Sequence, residues 1–248
     1  MTMPRRSERT PLFRALAGVV LPSMAAMADI RLHHADRVPQ DGAFVMAPNH
    51  MSEIDPLVTA VALWKAGRVP RFMAKESLFR VPGLGAIMRG TGQIPVDRGG
   101  IVRGADPMAA ARALVEQRLA VIIYPEGTLT RDPDLWPMRG KTGAVRMALQ
   151  ADVPLIPVAH WGAQRLMPRY ARGIRPIPRK RIDVVFGEPV DLAAYRGGAM
   201  DQATLLRATD AVMQSITDLL EELRGETAPA ERWDPAKRGQ DETGRFDG

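Results

Sequence analysis

Apolar, β-rich runs alternate with helical patterns along the body of this 248-residue chain. Ala43–Ala47 reads as a strand that stops at Pro48. Asp55-Pro56 then reads as a helix start, with proline at the first helical position, and Leu57–Lys65 as the helix it opens, closed by Gly67. Phe72–Ala74 is a short strand, and Pro82–Gly85 is a turn-rich entry to a helical Ala86–Arg89. Gln93–Val96 is extended, and the alanine-rich Met108–Leu119 is helical. Ala120–Tyr124 is apolar at every position, as expected of a strand covered on both faces. Thr142–Gln150 follows as a helix, and Leu155–Trp161 and Ile182–Phe186 as strands. Val153–Val158 carries two prolines, which suits an edge strand. The longest amphipathic pattern is Asp201–Arg224, where Leu205, Met213, Ile216, Leu220 and Leu223 share one face. This alternation predicts an α/β fold: a single layered domain with a mixed, largely central β-sheet flanked by helices.

The ends differ from the body. Pro11–Met27 is the most apolar segment, but Arg14 and Pro22 interrupt it, and it falls short of the roughly 18 continuous apolar residues of a membrane span. Arg5 and Arg6 precede it, and Ala26-Met27-Ala28 has the small residues of a signal cleavage site. A helix lying on a membrane surface or packed on the domain is the better reading. From Gly225 onward the chain is polar, with six acids against four bases, and is expected to be disordered. The expected division is therefore 1–33, a basic segment with a membrane-associating helix; 34–200, the α/β domain; 201–224, a C-terminal packing helix; and 225–248, a disordered tail.

Net charge is +6, and the acidic tail makes the folded body more basic still. With aromatics at only 5% and no nucleic-acid-binding signature, a membrane surface or a phosphorylated substrate accounts for the charge, and nucleic acid is not an expected partner. Seven bases from Arg165 to Arg181 occur without an acid among them, interleaved with Met167, Tyr170, Ile174 and Ile177, a pattern suited to anionic lipid. There is no cysteine, which removes disulfides, thiolate metal ligands and a cysteine nucleophile together.

Candidate chemistry begins at Asn49-His50-Met51-Ser52-Glu53-Ile54-Asp55. On one continuous helix His50 and Asp55 would point about 140° apart, so they meet only if the chain between them turns. The residue before a proline is pushed out of helical geometry, which places Asp55 at such a junction. The carboxylate can then hold one imidazole nitrogen and leave the other as a base. The same spacing equally fits Asp55 as a plain helix cap and His50 as a strand-end residue. Ser52 lacks the surroundings of a nucleophile and reads as a structural hydroxyl. Tyr124-Pro125-Glu126-Gly127-Thr128 follows a buried strand, where α/β folds place ligand loops, and Gly127 lets backbone amides approach an anion. Arg98, in Gly92–Arg98, is a candidate phosphate fork, with a solvated surface arginine as the alternative. His33 and His34 sit ahead of the sheet, and His160 reads as a core residue with one hydrogen bond. No cluster has metal-ligand spacing.

These blocks, NHxSxxD, GxIPVDR, PEGT and VPxIPV, in this order between Asn49 and Val158, resemble the glycerophospholipid acyltransferases, specifically the 1-acylglycerol-3-phosphate acyltransferases. The resemblance implies a transfer of a fatty acyl group from an acyl thioester, on coenzyme A or acyl carrier protein, to the free hydroxyl of lysophosphatidic acid. It implies no cofactor, and a peripheral or monotopic position on the cytoplasmic face of the membrane. Carried over by position, His50 is the general base and Asp55 its orienting carboxylate. Arg98, Glu126, Gly127 and Thr128 bind the acceptor, and the VPxIPV strand supports the donor side. Backbone amides near the helix start would stabilise the oxyanion. Two departures stand out: Met51 where the family often has glutamine, and Leu129 where it often has arginine. Arg131 and Lys141 are further candidates for the acceptor.

Overall fold

The computed structural model describes residues 10–96, 107–196 and 200–241. Seven strands form one sheet: β1 (Ala28–His33), β2 (Phe44–Pro48), β3 (Pro70–Lys75), β4 (Ile94–Val96), β5 (Ala120–Ile122), β6 (Leu155–Trp161) and β7 (Lys180–Phe186). Their spatial order is β1-β7-β6-β2-β5-β3-β4. All described pairs are parallel except β6 with β7. Seven α-helices accompany them: α1 (Pro11–Met27), α2 (Asp55–Lys65), α3 (Leu84–Gly90), α4 (Pro107–Glu116), α5 (Gly143–Ala151), α6 (Ala163–Leu166) and α7 (Gln202–Arg224). The expected α/β class and the mixed central sheet are borne out.

The pleat divides the strand side chains between two cores. Phe44, Met46, Ile122, Ile156 and Val158 face α1 and α2, together with Val58, Val61, Ala62 and Leu63 of α2. Their neighbours Val45, Ala47, Val121, Ile123 and Leu155 face the opposite way, against α4, α5 and α7. Because both faces are covered, the central strands read as unbroken apolar runs rather than as alternations. The predicted amphipathic face of α7 is the buried one: Leu205, Met213, Ile216 and Leu220 are inaccessible or nearly so. Asp201 caps this helix by accepting from the Thr204 amide, and Gly225 ends it in a left-handed turn.

Three expectations are corrected. The sheet begins earlier than residue 34, because Ala28–His33 pairs with β7, and His33 closes that strand with its Nε2 2.9 Å from Asp183. Val153–Val158 is not at an edge: β6 lies between β7 and β2. Pro157 is tolerated there because its carbonyl, and so the position of its missing N–H, faces past the end of β7, where Gly187 donates to that carbonyl. Residues 225–241 are folded, not loose. Their polar composition hides specific anchors: the Arg139 amide donates to the Trp233 carbonyl, Asp234 pairs with Arg139, and the Arg238 guanidinium lies over Trp233.

α1 packs on the domain through Met24 and Phe13, the latter beneath the guanidinium of Arg71. Its outer side leaves Leu12 and Val19 exposed, and among the described residues no helix is long and apolar enough to cross a membrane.

Strands β2 and β5 are adjacent and parallel, with Met46 opposite Ile122. The chain leaves β2 for α2 on one face of the sheet, and leaves β5 for α5 on the opposite face. Connections that part in this way open a crevice at the carboxyl ends of the two strands.

Candidate active site

The crevice receives both predicted blocks. His50 follows β2 by two residues and Tyr124 follows β5 by two. The in-step register of these strands delivers the two loops to the same level.

The chain between His50 and Asp55 does turn. The Asp55 amide donates to the Ser52 carbonyl, and α2 begins at Asp55 with proline behind it. Asp55 is fully buried. Its Oδ2 accepts from His50 Nδ1 at 3.0 Å, from the Met51 amide at 2.6 Å and from the Ser52 amide at 2.8 Å. One carboxylate oxygen thus fixes the loop and orients the ring together, at a helix N-terminus where negative charge is favoured. With Nδ1 engaged, Nε2 is the nitrogen left for a substrate hydroxyl, and the His50 side chain keeps 16% exposure. Asp55 therefore binds the imidazole as well as opening α2. Ser52 is indeed structural: its hydroxyl donates to the Met167 carbonyl and accepts from the Ile54 amide.

The amides of Met51, Ser52, Ile54 and Asp55 are all taken up inside this loop. The expectation that amides at the helix start hold the oxyanion therefore does not fit these four.

Glu126 is brought to the dyad, but beneath it. It is fully buried, and its two oxygens accept from the His50 amide at 2.8 Å and the Met138 amide at 3.1 Å. Burial pushes its carboxyl up to about 8, against the two amide bonds, so it is largely protonated at pH 7. It clamps the His50 backbone; a direct bond from this oxygen pair to an acceptor phosphate is not its geometry. Gly127 takes a left-handed φ of +69° and donates to the Tyr124 carbonyl, with the Lys141 side chain folded over it. Thr128 is half-buried. Leu129 is buried, as is Arg131. The Thr130 amide returns to the His50 carbonyl, and Arg169 donates across the crevice to the Thr130 and Asp132 carbonyls. Arg169, Arg179 and Arg181 of the basic loop are thus spent on protein contacts, the last two on Ala28 and Asp183. Arg98 lies outside the described residues.

Sequence reasoning missed two neighbours. Tyr124 stacks on His50, with ring centroids 4.1 Å apart. His160 is the buried core residue with one hydrogen bond that was expected, but it stands beside the dyad: its Nε2 lies 3.1 Å from the Asn49 carbonyl and 3.7 Å from Asp55 Oδ2. Burial lowers its pKa, so it is neutral, and as the Nε2–H tautomer it donates to Asn49. The aromatic before PEGT was the available signal for Tyr124. For His160 there was none, since the contact spans 111 positions.

A family model described as Acyltransferase matches residues 29–161, the span that holds these loops and their strands. The chain belongs to the acyltransferase family. It is 29% identical over 155 residues to a chloroplastic 1-acyl-sn-glycerol-3-phosphate acyltransferase of Brassica napus, covering 61% of this chain and 43% of that one. It is 25% identical over 211 residues to the 1-acyl-sn-glycerol-3-phosphate acyltransferase of Bacillus subtilis, covering 84% of this chain and 96% of that one. The chain thus spans less than half of the plant relative and nearly all of the bacterial one. The crystal structure of the 1-acyl-sn-glycerophosphate acyltransferase PlsC from Thermotoga maritima superposes with a TM-score of 0.67 over 92% of this chain and 86% of that one, at 21% identity, which places this acyltransferase in the same fold.

Proposed function

We propose that this acyltransferase moves a fatty acyl group from an acyl thioester to the free glycerol hydroxyl of lysophosphatidic acid, giving phosphatidic acid. The observation that carries the reading is the His50–Asp55 bond of 3.0 Å at the mouth of the crevice. His50 Nε2 removes the hydroxyl proton as that oxygen attacks the thioester carbonyl. The new C–O bond replaces the C–S bond, and the imidazolium returns its proton to the departing thiolate. Asp55 stabilises the imidazolium between these steps. No covalent enzyme intermediate is needed. The names of the relatives support this acceptor, and coenzyme A or acyl carrier protein is the carrier of the acyl group. Leu129, buried where the family often places arginine, favours a second reading in which the same chemistry serves another lysolipid or a glycolipid.

The reading places the protein on the cytoplasmic face of the membrane as a peripheral or monotopic enzyme. Exposed Leu12 and Val19 on α1, with Leu84 and Ile87 on α3, support it. So do exposed Arg172 and Arg175 beside Ile174 and Ile177.

The test is a panel of lysolipids incubated with labelled acyl-CoA and purified protein, with the products identified by mass. Phosphatidic acid from lysophosphatidic acid is expected. His50→Ala should lose turnover while still sedimenting with anionic vesicles; turnover at the wild-type rate in that variant rejects the base assignment.

A further inference from the structure

A closed circuit of contacts runs around the dyad. His50 Nδ1–H donates to the Asp55 carboxylate at 3.0 Å. The Asp55 backbone carbonyl accepts from the Thr59 hydroxyl one helical turn later, at 3.0 Å. Thr59 Oγ1 lies 2.9 Å from the Tyr124 hydroxyl. Since Thr59 gives its single proton to Asp55, Tyr124 is the donor in that pair. The ring of Tyr124 then comes back to His50, stacked at 4.1 Å and 27°. Burial, with the charge of Asp55, holds the Tyr124 phenol well above its ordinary value, so it keeps the proton it donates.

We propose that Tyr124 is a positioning residue for the catalytic base: its ring is the wall that holds the His50 imidazole in the plane of the Asp55 bond, and its hydroxyl, pinned on Thr59, fixes that wall. This rests on the reading of His50 as the base. A single Nδ1 bond is a hinge about which an imidazole can tilt. A face-on ring removes that freedom, so Nε2 meets the hydroxyl from one direction. The same face favours the positive charge the imidazole gains as it takes the proton. Tyr124 lies in the loop after β5, whereas His50 lies in the loop after β2 and Asp55 and Thr59 in α2, so the circuit also ties the two loops of the crevice to each other.

The groups facing this circuit are Asp55 from α2, His160 from β6 and Glu126 from the loop after β5. They are left intact in the test. Tyr124→Leu, Tyr124→Phe, Thr59→Val and His50→Ala are assayed in the full chain with lysophosphatidic acid and acyl-CoA. Tyr124→Leu is expected to lower kcat about 10-fold, with KM changed less than about twofold, and to move the acidic limb of the pH–rate profile toward lower pH. Tyr124→Phe keeps the ring and should recover most of that loss. The His50 ring-proton resonances, assigned by their absence in His50→Ala, should move downfield in Tyr124→Leu as the stacked ring is removed. Should Tyr124→Leu not fold, Thr59→Val carries the test: it keeps the ring, loosens its anchor, and should lower kcat about threefold with the same direction of pH movement. An inactive His50→Ala together with wild-type kcat, pH profile and His50 resonances in Tyr124→Leu overturns the positioning role alone. A fully active His50→Ala overturns the base assignment, and this proposal with it.

Discussion

Replacing Asp55 by asparagine isolates the charge of the dyad from its shape. The side chains are nearly isosteric, and an amide oxygen at the Oδ2 position still accepts from the Met51 and Ser52 amides at 2.6 and 2.8 Å. The loop should therefore hold, and α2 keeps its Thr59 bond to the residue 55 carbonyl. What disappears is the negative charge 3.0 Å from His50 Nδ1, which stabilises the positive charge formed during proton transfer. Taking the charge centres as about 4 Å apart and an effective dielectric of about 20, that attraction is about 4 kcal/mol, or about 10³-fold in rate. We predict that Asp55→Asn lowers kcat by about 10³, leaves KM within about threefold, and leaves thermal unfolding near wild type. Thiol release from acyl-CoA, followed with a chromogenic disulfide in the presence of lysophosphatidic acid, measures the first two; calorimetry measures the third. A variant that folds normally and retains more than a tenth of wild-type kcat would refute the argument that Asp55 acts by stabilising the imidazolium.

Glu126→Gln tests the buried carboxyl. An acid raised from 4.5 to about 8 on folding binds more protons when folded, so its contribution is complete below about pH 4.5 and is lost as pH climbs toward 8. The glutamine variant should therefore gain stability relative to wild type across that window in urea titrations; a constant difference would show that the carboxyl does not titrate there. Arg224→Ala removes a guanidinium held between Trp136 and Trp161 at 3.9 and 4.4 Å, and should cost about 2–4 kcal/mol of unfolding free energy, with a change in tryptophan emission. Gly162→Ala places a Cβ 2.3 Å from the Arg181 carbonyl at a φ of +111° and should cost about 3 kcal/mol or block folding; a wild-type melting temperature would contradict the close packing of the Gly162 backbone against β7.

Much of the architecture was legible because periodicity follows from burial. Pro11–Met27 and Asp201–Arg224 stand in the structure nearly as read, and β2, β5 and β6 sit where the unbroken apolar runs fall. β1 was missed although Ala28, Ile30 and Leu32 alternate with Asp29, Arg31 and His33; its closeness to the apolar helix obscured a period of two. The fold of residues 225–241 was hidden for a different reason. Their order comes from a few anchors, such as Trp233 over Arg238 and Asp234 on Arg139, and not from apolar mass.

The candidate site divides along the same line. Sequence alone supplied an imidazole and a carboxylate five positions apart, a proline to start a helix at the second, and a glycine loop after a buried strand, because these are local matters of backbone geometry and residue type. That the turn closes toward the ring, that Glu126 lies beneath His50 with its oxygens on two backbone amides, and that Tyr124 and His160 complete the surroundings were decided only in three dimensions. Those contacts depend on which strands lie side by side and in what register, and a pairing between residues 74 to 111 positions apart leaves no periodic trace in the chain that makes it.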